Sequence, residues 1–314
     1  MVVKRYLQLC AIISFAIWFA FDEAGAQPNR ETGAGIQPLI TTSELVVGKN
    51  RFAFGVFQEN KPVENGNASV RLYGIEGAQA RLEAEFKAPY HLVENGARGQ
   101  RVHRHADGTR HVHDSDTDVH GLYVSQIAFP RAGDWGLEIL LQDKDGLKSA
   151  ARTMVTVLEA PATPVVGSPA PRSRNLIARD VKNLRQLSTS ERPDARLHQA
   201  RIADAISQGK PQLIVFATPQ FCTSRMCGPV VDIVRGLLPA YGKRVAFTHQ
   251  EIWQDFAAKK VFATVEEWNI NTEPWIFVVD RQGIIHAKFE GLVTAGELES
   301  AVKEVLPTRR VGQK

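Results

Sequence analysis

Two groups of residues in this 314-residue sequence are of types and spacings that could do chemistry. One is FATPQFCTSRMCGP, in which Cys222 and Cys227 are separated by four residues. The other is RVHRHADGTRHVHDSDTDVH, which carries His103, His105, His111, His113 and His120. Two thiols this close can exchange disulfides, hold a metal or close a structural staple. Histidines in paired H-x-H units suit copper or zinc, because residues two apart on a strand share a face.

The compartment bears on the first group. The N-terminus, MVVKRYLQLCAIISFAIWFAFDEAGAQ, has Lys4 and Arg5, an apolar run from Leu7 to Phe21, and Ala24-Gly25-Ala26. That is the layout of a secretory signal peptide cleaved after Ala26; a retained anchor is the alternative, and both leave the remainder outside the cytoplasm. Cleavage removes Cys10, so Cys222 and Cys227 remain as a pair where disulfides persist. In a regular helix, residues five apart have Cα atoms about 8 to 9 Å from each other. A disulfide tolerates roughly 7 Å, so a bonded pair requires part of 222–227 to leave helical geometry. Pro229 suits the first turn of a helix that follows. An inert staple gains little from so short a loop, because the entropic stabilisation grows with loop length.

For the histidines, strand register decides whether they meet. A two-residue turn at Asp107-Gly108 places His103 opposite Val112, with the two H-x-H units on opposite faces. A three-residue turn, with Gly108 left-handed, places His103 opposite His111 and brings His103, His105, His111 and His113 to one face. Asp114, Asp116 and Asp118 do not complete a calcium loop, which also needs a following glycine and a glutamate at its twelfth position.

These groups sit in two differently patterned regions. From Leu39 to Leu158, short alternating runs such as LVVGKNRFAFGVF and GLYVSQIAF are separated by turn signals such as Glu94-Asn95-Gly96, which predicts an antiparallel β-sandwich. EAPATPVVGSPAPRSR follows, proline-rich and without apolar period, and reads as an extended linker. Beyond it, helical periods over LHQARIADAISQGK, from Pro229 to Tyr241, over FAAKKVFATVEEW and over TAGELESAVKEVL alternate with the strands QLIVFAT, RVAFTHQEI, WIFVVD and IIHAKFEG, an α/β pattern. Lys+Arg 38 against Asp+Glu 34 gives a net charge of +4, dispersed along the chain, which does not favour a nucleic-acid partner.

Leu176 to Leu306 resembles the thioredoxin superfamily, in a buried strand ending FATPQFC, a second cysteine just before a helix, and NTEPWIFVVD. The resemblance implies that Cys222 is the attacking thiolate, Cys227 the resolving thiol and Pro274 a cis-proline facing them. A thiol beside a helix N-terminus has its thiolate stabilised by unpaired N–H groups. The chain departs from the family in carrying four residues between the cysteines instead of two. It has Phe216 where thioredoxin has a buried acid, and Phe221 in place of the usual tryptophan. Those departures imply partner-restricted exchange. The related Sco-like copper carriers add a later histidine to the cysteines; His249 and His286 are available, and neither matches that position. GLYVSQIAFPRAGDWGLEI resembles small Ig-like extracytoplasmic sandwiches, some of them copper-handling.

The expected organisation is a signal peptide over 1–26, an all-β Ig-like sandwich with a histidine-rich hairpin over 38–158, a linker over 159–175, and an α/β thioredoxin-like domain over 176–308. The expected function is extracytoplasmic thiol–disulfide exchange with protein thiols or disulfides, in the periplasm or secreted, with no cofactor required and with a membrane contact only through an uncleaved signal segment. The alternatives are a copper- or zinc-binding or delivery protein using the hairpin, and a non-catalytic interaction module.

Overall fold

The structure is a computed structural model that describes residues 35–77, 79–93, 101–104, 110–113, 120–222, 224 and 226–307, excluding the side chains of 101–104 and 110–113. The expected signal segment lies outside the described residues. Among the described residues, no helix is long and apolar enough to cross a membrane.

The first region is built from strands β1 (Gln37–Ile40), β2 (Gly48–Gln58), β3 (Lys61–Pro62), β4 (Asn67–Glu76), β5 (Gln79–Ala88), β6 (Tyr90–Leu92), β7 (Arg101–Arg104), β8 (Arg110–His113), β9 (Gly121–Phe129), β10 (Gly133–Gln142) and β11 (Lys148–Val157). One sheet runs β1-β2-β9-β6 with β3 on β2; the other runs β11-β10-β4-β5. Alternation fills the space between them. Phe52, Phe54 and Val56 of β2, Tyr123, Ile127 and Phe129 of β9, and Trp135, Leu137, Ile139 and Leu141 of β10 share one buried core. On the outer face of the second sheet, Glu138 is nearly buried yet satisfied by cross-strand partners, Arg152 at 2.7 Å, Arg71 at 3.4 Å and the Tyr73 hydroxyl at 3.0 Å.

The first sheet departs from simple alternation for a reason. The outward-facing Ala53 of β2 and Leu122 and Val124 of β9 are also buried, in a second apolar cluster that continues into the C-terminal region. GLYV at the start of β9 therefore reads as a continuous apolar run, because both of its faces are covered.

The C-terminal region holds α1 (Ile202–Ser207), β12 (Gln212–Phe216), α2 (Cys227–Gly236), α3 (Leu238–Tyr241), β13 (Ala246–Gln250), β14 (Trp253–Asp255), β15 (Lys260–Val261), α4 (Ala263–Glu267), β16 (Trp275–Val279), β17 (Ile285–Glu290) and α5 (Ala295–Glu304). Its main sheet is ordered β13-β12-β16-β17, with β12 parallel to β13 and antiparallel to β16. Leu213 and Val215 pack toward α2 and α5, whereas Ile214 and Phe216 pack toward α1, α4 and Trp268. Burial on both faces explains why QLIVF has no polar alternation. Thr294 and Glu297 form the capping box that starts α5.

Two local expectations change. The spacing over 256–268 predicts one helix, but Lys259 takes a left-handed φ of 52°, β14 pairs with β15, and only Ala263–Glu267 is helical. Trp253 and Val261 pack against the core cluster that includes Trp268, and that packing outweighs the helix propensity of Ala257 and Ala258. The helical stretch around α1 is likewise confined to Ile202–Ser207, preceded by a 3-10 turn at Ala195–Leu197.

The proline-rich segment is extended but not detached. Gly167 and Ala170 donate to the carbonyls of Ile285 and Gly283, at 2.8 Å each, and Ile285 returns a bond to Ser168. Ala162 and Thr163 donate to Glu44 of the sandwich, which also pairs with Lys288 at 2.7 Å. Arg51 of β2 meets Glu297 of α5 at 2.7 Å.

Candidate functional site: a thiol pair with a neighbouring acid

β12 ends at Phe216 and delivers the chain to a loop that carries Cys222. Cys227 is the first residue of α2, two positions earlier than Pro229 suggests, so Cys222 lies outside that helix. This is what a close pair at this spacing requires. Both cysteines are free thiols; Cys222 is partly exposed and Cys227 fully buried. The Glu273–Pro274 peptide bond is cis and lies immediately before β16. There the Glu273 carboxylate accepts the Thr218 N–H at 2.7 Å, just beyond the end of β12. The Sγ atoms of Cys222 and Cys227 and a carboxylate oxygen of Glu273 all lie within 4.8 Å of one another.

The electrostatics separate the two thiols. Cys222 is lowered to about 6, chiefly by the facing Cys227 thiol, with further bonds from the Ser224 hydroxyl at 3.1 Å and from the backbone N–H groups of Cys227 and Ser224. The Cys227 amide belongs to the first turn of α2, where N–H groups lack helical partners. Cys227 is pushed up by burial, and next by Cys222 and Glu273. Burial also raises Glu273 to about 7, assisted by the charge of Cys222. The site thus holds an ionisable sulfur at the surface, a protonated sulfur beneath it, and a carboxyl that titrates near neutrality beside both.

Glu273 is absent from the residues the sequence singles out. Phe216, which stands where thioredoxin has an acid, packs on Trp268 and Phe277 with ring centroids 5.3 Å and 5.9 Å away. The carboxyl arrives instead on the loop before β16, the strand that pairs with β12. The available signal was the acid preceding the candidate cis-proline.

Neither histidine weighed as a third ligand belongs to the cysteine cluster. His286 pairs with Glu304 at 2.8 Å. His249 is buried and donates from Nε2 to the Ala217 carbonyl at 2.9 Å, with its ring 5.3 Å from that of His198. His198 and His249, with Gln250, Leu176, Leu187 and Phe262, line a small cavity of about 10 Å³, and His198 Nε2 has no hydrogen-bond partner among the described residues. Burial, then the neighbouring His249, depresses His198 to about 3, and burial depresses His249 too. The unfolded chain therefore binds protons that the folded chain refuses. The stability involved is fully present above the unfolded value of roughly 6.5 and is lost as pH falls toward the folded value, by about 1.4 kcal/mol per unit for each proton. Glu273, raised in the folded state, acts in the opposite sense between about 7 and its ordinary value. Urea unfolding at pH 7.5 and pH 5 isolates the histidine contribution if His198→Gln is run beside the wild type: the variant should lose less stability on acidification.

In the histidine hairpin, β7 and β8 pair in the register that sets His103 opposite His111 and Val102 opposite Val112. This is the register of the three-residue turn. His105 and the intervening turn lie outside the described residues, as do the side chains of His103, His111 and His113.

The chain is thus strand-rich, with a two-sheet sandwich joined to a mixed sheet that carries a thiol–acid cluster. No protein-family model matches it, and no curated protein matches it. Among solved structures it is similar over 39% of its length to CopC from Methylosinus trichosporium OB3b, at 10% identity, 94% of that chain and a TM-score of 0.20. The soluble domain of PmoD from Methylocystis sp. ATCC 49242 (Rockwell) is matched over 39% of this chain and 90% of its own, at 10% identity and a TM-score of 0.21. Spo0M, a sporulation control protein from Bacillus subtilis, is matched over 41% of this chain and 51% of its own, at 10% identity and a TM-score of 0.20. At such scores these likenesses add nothing to the functional reading, which rests on the site.

Proposed function

We propose that this chain is an extracytoplasmic thiol–disulfide oxidoreductase that exchanges disulfides with partner proteins through Cys222 and Cys227. The observation that carries the reading is the division of labour between the thiols, one accessible and ionised near neutrality, the other buried and protonated beside a carboxyl. In the reducing direction the Cys222 thiolate attacks a partner disulfide, forming a mixed disulfide and expelling one partner thiolate. Cys227 then loses its proton to Glu273 and attacks the Cys222 sulfur. That closes the Cys222–Cys227 disulfide, releases the second partner thiolate and leaves the partner reduced by two electrons. The same steps reversed oxidise a partner dithiol. A thioredoxin-like reading of 176–308 is supported by the order strand, thiol loop, helix and cis-Pro274, and an extracytoplasmic location by the signal-like segment 1–26. The test is turnover of a peptide disulfide by the full chain, with Cys222→Ser expected at background; turnover equal to wild type would end the reading.

The second reading is a metal-binding protein taking copper or zinc, favoured by the third donor that Glu273 adds to the two sulfurs. Two thiolates and a carboxylate are a donor set that zinc accepts, and thiolates also suit copper(I). In tetrahedral geometry such donors stand roughly 3.5 to 3.8 Å apart, and the three donor atoms here lie within 4.8 Å of one another. The histidine hairpin, in its observed register, is the other candidate for this reading. Equilibrium dialysis of the reduced full chain against zinc or copper(I) separates the sites. Loss of metal in Cys222→Ser would place it at the thiols, loss in a His103→Ala, His111→Ala chain would place it at the hairpin, and no retention by wild type would remove the reading.

A further inference from the structure

We infer that Glu290 is a positioning residue through which the β-sandwich sets the geometry of the thiol–acid loop, an inference that rests on the exchange function proposed above. Glu290 ends β17 and is almost wholly buried, opposite Trp275 in the strand register. On one side its carboxylate accepts three bonds from the sandwich: the Ser43 hydroxyl, the Ser43 N–H at 2.8 Å and the Glu44 N–H at 2.8 Å. On the other it accepts the Thr272 hydroxyl at 2.8 Å, and Thr272 in turn accepts the Trp275 indole N–H at 3.0 Å. Thr272 is the residue before Glu273.

A second link runs in parallel. Gly291 donates its N–H to the Pro274 carbonyl at 2.9 Å. A Cβ built on Gly291 would lie 2.0 Å from the Thr41 carbonyl oxygen, and the residue has a φ of 71°, so the sandwich backbone rests directly on it. Residues 272 and 274 are therefore both held by the pair 290–291, and that pair is held by the sandwich segment 41–44. Glu273 lies between them. Its placement against the sulfurs is decided by contacts with a region far away in sequence, and displacements of about 1 Å at a reacting group can cost on the order of 10²-fold in rate.

Glu290→Gln tests this. A glutamine amide presents two N–H groups of its own, so the four donors cannot all keep an acceptor. Ser43→Ala is the milder companion, removing one donor on the sandwich side. Glu138→Gln is the control, disturbing a buried carboxylate in the sandwich that touches neither the loop nor Glu290. The readout is the pH profile of exchange with a peptide disulfide. The groups facing Glu273 in that profile are Cys222, Cys227 and Glu251. In the wild type an inflection is expected near pH 7. In Glu290→Gln it should move down by about half a unit or more as the carboxyl regains water, with Ser43→Ala between the two and Glu138→Gln superimposed on wild type. If both interface variants keep the wild-type profile, or Glu138→Gln shifts it equally, the inference is wrong. If the wild type itself shows neither exchange nor an inflection, it is the exchange function that fails.

Discussion

A Cys227→Ser chain incubated with a disulfide-containing peptide is expected to accumulate a mixed disulfide on Cys222, and a Cys222→Ser chain to accumulate none and to lose turnover to background. The asymmetry follows from the site. Cys222 is the accessible sulfur and, near pH 7, mostly thiolate; only the thiolate attacks a disulfide. Cys227 is fully buried and held protonated, so it cannot make the first attack on a polypeptide partner. In the proposed exchange it takes the second step, on a sulfur already within 4.8 Å. Non-reducing electrophoresis and mass mapping of the adduct read the result directly. An adduct on Cys227, or equal trapping by both variants, would contradict the assignment.

Glu273→Gln is expected to slow exchange at neutral pH by on the order of 10²-fold, the usual scale for removing a positioned proton acceptor. In the proposed exchange Cys227, pushed up by burial, needs a nearby base, and Glu273, itself raised to about 7, is matched to that task. The sign of the pH dependence distinguishes this role from a packing role. Wild-type exchange should rise as pH passes about 6, where Cys222 ionises, and again near 7, where Glu273 becomes a carboxylate. The variant should keep the first rise and lose the second. Glutamine retains an oxygen that can accept the Thr218 N–H, so loop structure survives and the comparison is of protons. A variant with both inflections intact would show that Cys227 is deprotonated by another group.

Much of this molecule is legible in its sequence. Alternation in GKNRFAFGVFQ and GDWGLEILLQ marks strands whose inward residues became the sandwich core, since a period of two has one physical reading when one face is wet. The cysteine spacing implied that a close pair must span irregular chain, and Cys227 does begin α2. Local readings failed where tertiary contact overruled propensity, as in 256–268, where hairpin packing of Trp253 and Val261 replaced the first turns of an expected helix. Phe216 correctly indicated that the strand carries no acid near the thiols. It could not indicate that Glu273 comes from another element.

By itself, the sequence determined the periods of the strands and helices, the change of pattern at the proline-rich segment, and the close spacing of the two thiols. These depend on residues within a few positions of one another. Only the tertiary structure decided that Glu273 sits against Cys222 and Cys227, that the proline-rich segment docks along Gly283 and Ile285, and that Ser43 and Glu44 bind Glu290 behind the acid loop. Those meetings join segments distant in the chain. They are selected by burial of both faces of β9 and by the need of buried carboxylates for donors, forces that local spacing does not record.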